Sequence, residues 1–465
     1  MLNAAVGTMQ SSLAQERQAP PQTKETVGGG TREPVVRRPP KEDALNPQAL
    51  QRKIDQLLCD ELTQHWYPHA IDRARGGFHQ TMARDWSLRP DQNVFLVYQA
   101  RMTWTAAAFA QYSRAHHDEF VGYARHGIEF LDKTMRDQKF GGFHWILDPA
   151  GRVDPKLGDE KDVYGLAFVI YAASKVRQVT NDELALKVAR DAFDWLEQHA
   201  HDAKHGGYFE ALRRDGTPIL SAGRYSPNVR RVDGIGVPYG LKSTNAHIHV
   251  LEALTALSKV DKREIVQERL REVFHLFRDR LVAEPGALYV LLTRDWRPIS
   301  TEDSFGHDVE AAYLLLESAH ALGIRDDPKA WQVARLLVDH ALKWGWDSEN
   351  GGFYDKAKSF TAKASDQKKV WWNAAEALNT LLLMHWKYGD RTDRYWMAFL
   401  KVWEFTENHF LDPEHGGWYA ETTRTGGLIG DNGKAHQWKA NYHTSRALIN
   451  VSKLLGLLNK PPDAK

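Results

Sequence analysis

Six stretches of the chain are apolar on almost every face of a helix: 95–112, 164–176, 246–257, 309–322, 374–388 and 442–455. They are rich in Ala and Leu, as expected of helices packed on both sides. Six others repeat apolar residues at helical spacing with one polar face: 48–66, 119–135, 183–199, 262–281, 328–342 and 392–410. The two kinds alternate strictly along the chain.

Short glycine turns punctuate the alternation. Gly76-Gly77-Phe78, Gly141-Gly142-Phe143, Gly206-Gly207-Tyr208, Gly351-Gly352-Phe353 and Gly416-Gly417-Trp418 all read as two glycines and an aromatic. The first three begin 65 residues apart, as do the last two. A degenerate copy, Gly286-Ala287-Leu288-Tyr289, stands 65 residues before Gly351, so the extra residues fall between Gly206 and Gly286. Six repeats of one helix pair predict an all-α fold, an (α/α)6 barrel with six inner helices wrapped by six outer ones. The turns become short hairpins on one face. Residues 45–460 are then a single domain, although the length alone suggests more. Residues 1–44, with Pro20-Pro21, Gly28-Gly29-Gly30 and Pro39-Pro40 and few large apolar side chains, are expected to be disordered.

Composition narrows the setting. A formal net charge of +1 gives no global field toward nucleic acid or acidic lipid, so neither is an expected partner. Cys59 is the single cysteine, which excludes an intrachain disulfide. The first residues have no basic segment followed by an apolar run, and no stretch is apolar enough to span a membrane. A soluble, cytoplasmic protein is expected, a monomer or homodimer. The 16 Trp, 16 Tyr and 18 Phe residues mostly serve the core, but an excess of Trp also suits the flat C–H faces of a sugar ring.

Polar and aromatic residues gather near the starts of the inner helices. Arg101 lies on the first, Lys161, Asp162 and Tyr164 at the second, and Asn245, His247, His249 and Glu252 on the third. His307, Asp308 and Glu310 open the fourth, Trp371, Trp372 and Glu376 the fifth, and Trp438, His443 and Arg446 flank the start of the last. In a barrel of this kind these starts converge at one mouth. A core helix needs no ionisable group there, and burying one unpaired costs several kcal/mol, so the repetition marks a site. Asn245, His249 and Glu252 share one helical face, whereas His247 is turned away from it. A lone histidine on such a helix is usually a hydrogen-bonded core residue. His249, His307 and His443, on three facing helices, argue otherwise.

Three chemistries were compared. Zinc could use three histidines, but the His-x-His pair diverges on its helix and no HExxH or cysteine pair is present, so no metal is expected. Glycoside hydrolysis needs two carboxylates, which Glu302, Asp303, Asp308 and Glu310 could supply, but it leaves the histidines without a task. Proton transfer at a carbon beside a carbonyl suits two histidines working near neutral pH. Its enediolate would be stabilised by a cation such as Arg101 and by helix N-termini.

At these residues the chain resembles the N-acylglucosamine 2-epimerase superfamily, and within it most the cellobiose 2-epimerases. The resemblance rests on NAHIHVLEALTAL (245–257), SFGHDVEAAYLLLE (304–317), WWNAAEAL (371–378) and WKANYHTSRA (438–447), with weaker support from 99–112 and 161–174. It spans about residues 47–458. It implies an (α/α)6 barrel, no required cofactor, and removal and return of the C2 proton of a reducing-end sugar. By its motifs His307 and His443 resemble the acid/base pair, and His249 the histidine assisting ring opening or positioning substrate. Arg101, Asn245 and Glu310 resemble contacts to substrate hydroxyls and the enediolate. Tyr164, Trp372 and Trp438 resemble the aromatic sugar contacts, and Glu376 falls in the WWxxAE motif. The expected reaction is epimerisation of a β-1,4 disaccharide such as cellobiose. The alternatives are aldose–ketose isomerisation of mannose type, N-acetylglucosamine 2-epimerisation and, from a different class, glycoside hydrolysis.

The chain departs from its relatives at Ala440-Asn441-Tyr442-His443-Thr444-Ser445-Arg446, where cellobiose epimerases more typically carry Gly-Pro-Tyr-His-Asn-Gly-Arg. WWNAAE stands for the usual WWPQAE, and 221–240 is atypical. These positions bear on substrate choice rather than on the chemistry.

Overall fold

A computed structural model describes residues 46–90, 92–153, 159–221 and 231–459. The expectation of disorder for 1–44, and residues 222–230 of the atypical segment 221–240, fall outside the described residues.

Twelve long helices appear among the described residues, in the predicted alternation. The apolar set is α2 (Leu96–Tyr112), α4 (Val163–Thr180), α6 (Thr244–Val260), α8 (Phe305–Ala321), α10 (Trp371–Tyr388) and α12 (Tyr442–Leu458). The amphipathic set is α1 (Pro47–Asp60), α3 (His117–Phe130), α5 (Glu183–His199), α7 (Glu264–Asp279), α9 (Pro328–Trp344) and α11 (Arg394–Phe405). In α2 every residue from Leu96 to Ala110 is buried, so the helix has no solvent face. In α5 burial follows one stripe, Ala185, Val188, Ala189, Ala192, Phe193 and Leu196. Each fully buried Leu, Ile or Val removes enough apolar area to stabilise the fold by about 1.5–3 kcal/mol.

The even-numbered helices pack in sequence, α2 on α4, α4 on α6, α6 on α8, α8 on α10 and α10 on α12, and α12 returns to α2. Each odd-numbered helix lies outside this cycle, against the even-numbered helix beside it; α1 packs on α12. The core is the layer between the two sets.

α4, α6, α8 and α10 begin one to four residues earlier than their apolar pattern suggests, because residues such as His307 and Trp371 are already helical, whereas α2 begins one residue later and α12 where the pattern places it. Three outer helices end differently from expectation. α1, α3 and α11 widen into π-helical turns over Glu61–Trp66, Leu131–Met135 and Thr406–Phe410. In the last two, the backbone N–H groups of Arg136 and Leu411 reach back five residues to Leu131 and Thr406.

Short strands ring the mouth. The strand entering α2, Val94–Phe95, pairs with Ile146–Leu147 from the next repeat. The same link joins Glu160–Asp162 to Ala211–Arg213, Lys242–Ser243 to Leu291–Leu292, Asp303–Ser304 to Lys356–Ala357, and Lys369–Val370 to Glu421–Thr422. A single bridge between Met82 and Ala435 joins the last repeat to the first.

The glycine turns contain a residue that the sequence reading passed over. Four positions before each first glycine stands an aspartate: Asp72, Asp137, Asp202, Asp347 and Asp412. Its Oδ1 accepts the backbone N–H groups two and three residues on, as in Asp137 with Lys139 and Phe140. Four of these aspartates also clasp two cations. Asp137 pairs with Lys161 at 3.1 Å and Arg214 at 2.7 Å; Asp202 with Lys242 at 3.1 Å and Arg294 at 2.8 Å. Asp347 pairs with Lys369 at 3.0 Å and Arg424 at 3.3 Å; Asp412 with Lys434 at 2.7 Å and Arg84 at 2.8 Å. Burial opposes their ionisation, but the cation hydrogen bonds outweigh it and hold all four carboxyls below the usual range. Lys161, grouped by sequence with the mouth chemistry, is thus part of a clasp. The degenerate turn at Gly286 closes a hairpin of Val282–Ala283 with Ala287–Leu288 and has no clasp.

Candidate active site

The three histidines singled out by sequence stand in the N-terminal halves of α6, α8 and α12, and each has its Nδ1 engaged. His443 Nδ1 lies 2.7 Å from Glu376 Oε1, His249 Nδ1 3.1 Å from Glu252 Oε2, and His307 Nδ1 2.8 Å from the hydroxyl of Ser304. In each ring the partner of Nδ1 fixes the orientation and leaves Nε2 as the other nitrogen available for chemistry. The Trp372 indole packs on both His307, at 4.9 Å between ring centres, and His443, at 5.7 Å. His247, expected to point away, does so: its Nε2 accepts the Tyr208 N–H and its Nδ1 meets the Ser243 carbonyl. Gly207 sits tightly against this ring. Its φ is +66°, and a Cβ there would stand 2.9 Å from His247 Nε2 and 2.5 Å from Trp296.

Beneath the histidines lies a buried ionic network. Arg446 donates to Glu310 and Glu376 from Nη2, at 2.6 Å each, and to Glu252 from Nη1. The Tyr442 hydroxyl also donates to Glu252. Three carboxylates around one guanidinium do not all ionise equally. Burial disfavours charge on Glu252, but Arg446 and His249 outweigh it and pull the carboxyl down to about 2. At Glu376 burial wins over Arg446, with Glu310 adding to it, and pushes the carboxyl up to about 8. Burial, Arg101 and Arg446 hold the His443 imidazole well below its ordinary value. Burial also lowers His307, to about 4, against the pull of Glu310. Lowering of this kind favours the neutral imidazole, the form that accepts a proton.

Arg101 is buried, yet among the described residues it makes no ion pair with a carboxylate. It donates to the Tyr164 hydroxyl at 2.9 Å and to the Trp438 carbonyl at 3.0 Å, over the face of Phe168 at 4.4 Å. Tyr164 stands edge-on to His249, 4.9 Å between ring centres, and Trp438 packs 6.3 Å from Tyr164. Asn245 lies one turn before His249, and its buried Oδ1 has no protein partner. Glu310, expected to touch substrate, spends Oε1 on Arg446.

A cleft of about 500 Å³ is lined by Ser304, His307, Trp372 and Trp438 of this group together with Lys356, Lys368, Glu421 and His436. Arg101, Tyr164, His249 and His443 are not among its lining residues, and neither are the four carboxylates offered for glycoside hydrolysis, Glu302, Asp303, Asp308 and Glu310. Two groups of side chains have donor atoms close enough to share a cation: Glu310, Glu376 and His443, and Asp303, Asp308 and His340. In the first, the Arg446 guanidinium already serves as the counter-charge.

Sequence reasoning brought together Arg101, Tyr164, His249, His307, Trp372, Trp438 and His443, and the structure gathers them through direct contacts or contacts with a shared neighbour. It missed Ser304 and Phe168 as partners of His307 and Arg101. Ser304 stands at i−3 from His307, a spacing that could have identified it.

A family model described as N-acylglucosamine 2-epimerase (GlcNAc 2-epimerase) matches residues 76–447. The cellobiose 2-epimerase of Bacteroides fragilis is 28% identical over 408 residues, covering 87% of this chain and 99% of that protein. The D-mannose isomerase of Marinomonas mediterranea is also 28% identical, over 418 residues, covering 84% of this chain and 94% of its own. Among solved structures, the cellobiose 2-epimerase from Spirochaeta thermophila superposes with a TM-score of 0.75 at 28% identity, covering 88% of this chain and 98% of that one.

Proposed function

The chain belongs to the N-acylglucosamine 2-epimerase family and is a carbohydrate epimerase or isomerase; on that premise we propose that it epimerises C2 of a reducing-end sugar of cellobiose type. The observation that carries the reading is the trio of histidines, each tied at Nδ1, beside the buried Arg101, which makes no ion pair with a carboxylate among the described residues. In the proposed reaction the sugar enters the cleft in its open-chain form. Nε2 of one of His307 and His443 takes the C2 proton, and the electron pair moves onto the C1 oxygen to give a cis-enediolate. The other histidine, which enters the cycle protonated, gives its proton to the opposite face of C2, and the carbonyl re-forms. Arg101 stabilises the oxygen that gains charge. His249 assists ring opening or holds the substrate, and Asn245 and Glu310 contact its hydroxyls. Tyr164, Trp372 and Trp438 offer aromatic surface to the sugar. No cofactor takes part.

The same reading describes the fold as an (α/α)6 barrel forming one catalytic domain. The closed cycle of helix contacts and the closing bridge Met82–Ala435 support it.

A second reading, aldose–ketose isomerisation, draws on the mannose isomerase, which is as similar to this chain as the cellobiose epimerase is. It shares the enediolate but delivers the proton to C1. Proton NMR in D2O with cellobiose, mannose and N-acetylglucosamine separates the two. Loss of the reducing-end C2 proton with appearance of the C2 epimer is the expected result, and a ketose product would replace it with the isomerase reading. No exchange with any sugar, or glycosidic cleavage, would refute both.

A further inference from the structure

The fourth repeat breaks the charge pattern of its siblings. Two residues before α4, α6 and α10 stands a buried lysine, Lys161, Lys242 or Lys369, neutralised by the aspartate of the preceding turn. At the same position before α8 stands an acid, Asp303, and the turn aspartate is replaced by Val282. Asp303 is 1% exposed, and neither of its carboxylate oxygens has a hydrogen-bond partner among the described residues.

Its neighbours are Asp308, in the first turn of α8, and His340, on the outer helix α9, both buried. His340 Nδ1 lies 3.1 Å from Asp308 Oδ2 and 3.6 Å from Asp303 Oδ2. His340 Nε2 lies 2.7 Å from the Phe360 carbonyl, which can only accept, so Nε2 carries the proton. In a neutral ring Nδ1 therefore aims a lone pair at two carboxylates. The far side of Asp308 is also satisfied, by the Leu288 N–H to Oδ1 at 2.9 Å.

We propose that Asp303, Asp308 and His340 bind one divalent transition-metal cation, of zinc type, that fastens the start of α8 to α9. A histidine that gives its other N–H to a backbone carbonyl, and a carboxylate whose second oxygen is held by a backbone N–H, are the outer contacts that metal ligands recurrently make. One nitrogen and two carboxylate oxygens form a zinc-compatible donor set. Metal–ligand bonds of about 2.0–2.2 Å place tetrahedral ligands about 3.3–3.6 Å apart, so the longer of the two separations stands at the top of that range and the shorter just below it. A dication also balances the two carboxylates, as each lysine–arginine pair more than balances its aspartate elsewhere in the ring. The cation is structural: it sits behind Ser304 and His307 and takes no part in the proton transfer.

The test uses the full chain, purified without chelator and with any affinity tag removed. Metal analysis should find one equivalent of zinc or a related cation per chain. Replacing it with cobalt should give the intense visible absorption of a tetrahedral cobalt centre. Asp303→Asn and His340→Gln should each abolish that absorption and the stoichiometric binding. Chelation of the wild-type protein should lower its melting temperature, and zinc should restore it. A protein that is metal-free as purified and shows no saturable binding of zinc, manganese or cobalt on dialysis overturns the proposal. Binding that survives in both variants places the ion elsewhere and overturns it equally. Should the variants not fold, the cobalt spectrum of the wild-type chain decides the matter: a tetrahedral signal supports the site, and its absence refutes it. None of these readouts depends on which sugar is turned over.

Discussion

Glu376 meets His443 at 2.7 Å through the same oxygen that receives Arg446 at 2.6 Å. The carboxyl is thus shared between the ring that would move a proton and the guanidinium that gathers two further acids. The histidine's orientation is coupled to a network spanning α6, α8, α10 and α12.

Glu376→Gln should test that coupling. Glutamine can still face the His443 ring, but it removes an acid from beside Arg446. Losing a hydrogen bond to a charged group costs about 1.5–3 kcal/mol, roughly 10- to 100-fold in rate. We expect kcat to fall by that factor with KM little changed, and the pH–rate profile to shift. An unaltered profile would mean that Glu376 only fills space.

His307→Ala and His443→Ala should each lower turnover by about 10²–10⁴-fold, the usual worth of a positioned acid or base, while circular dichroism stays unchanged. Single-turnover exchange of the C2 proton in D2O should separate the two roles, because the histidine that removes the proton is required for washout and its partner is not. Near-normal activity in both variants would end the two-histidine mechanism.

Arg101→Met should reduce kcat by about 10²–10³-fold, as loss of an oxyanion-stabilising donor does. Arg101→Lys keeps the charge but not the fork that reaches both Tyr164 and the Trp438 carbonyl, so it should recover only part of the loss. Steady-state kinetics on the preferred sugar reads both.

The clasps make a stability prediction. Asp202→Asn leaves the buried Lys242 without its counter-charge, and breaking such a pair costs about 3–5 kcal/mol. Arg294 sits on the same carboxylate but its side chain is 39% exposed, so Arg294→Ala should cost about 1 kcal/mol or less. Urea midpoints measure the difference, and equal effects would refute the buried clasp as the stronger element.

Stability should also fall on acidification before the carboxylates titrate. His307 is held at about 4 in the folded chain, below the ordinary 6.5. Between those values the unfolded chain binds a proton that the folded chain does not, so stability present above pH 6.5 drains away as pH falls toward 4. His443 is lowered too and acts in the same sense. Glu376, raised to about 8 from 4.5, acts oppositely: its contribution is full below 4.5 and is lost as pH rises through 8. Melting temperature against pH should therefore decline on both sides of a neutral maximum, and His307→Ala should flatten the acid limb.

Much of this was readable in the chain because helices announce themselves by period. The alternation of apolar and amphipathic segments and the recurring Gly-Gly-aromatic turn yielded the order of all twelve helices, and the polar residues at the inner starts marked the mouth. What could not be read were partnerships across helices. Arg446 joins Glu252, 194 positions away, and nothing in either segment names the other. The turn aspartates were visible at a constant offset, but their lysines lie some 22 to 40 residues further on, so Lys161 looked like mouth chemistry until its partner was seen. The π-helical turns leave no trace in a hydrophobic pattern, because widening by one residue barely moves the apolar stripe.

The seam between the last repeat and the first has a consequence for how the chain assembles. All five strand pairings around the ring, and three of its four clasps, need only a neighbouring repeat. The remaining clasp joins Arg84 to Asp412, 328 positions apart, beside the Met82–Ala435 bridge. During synthesis the first repeat must wait, its edge unpaired, until nearly the whole chain has left the ribosome. Of the contacts that close the ring, this seam spans the most sequence and is expected to form last.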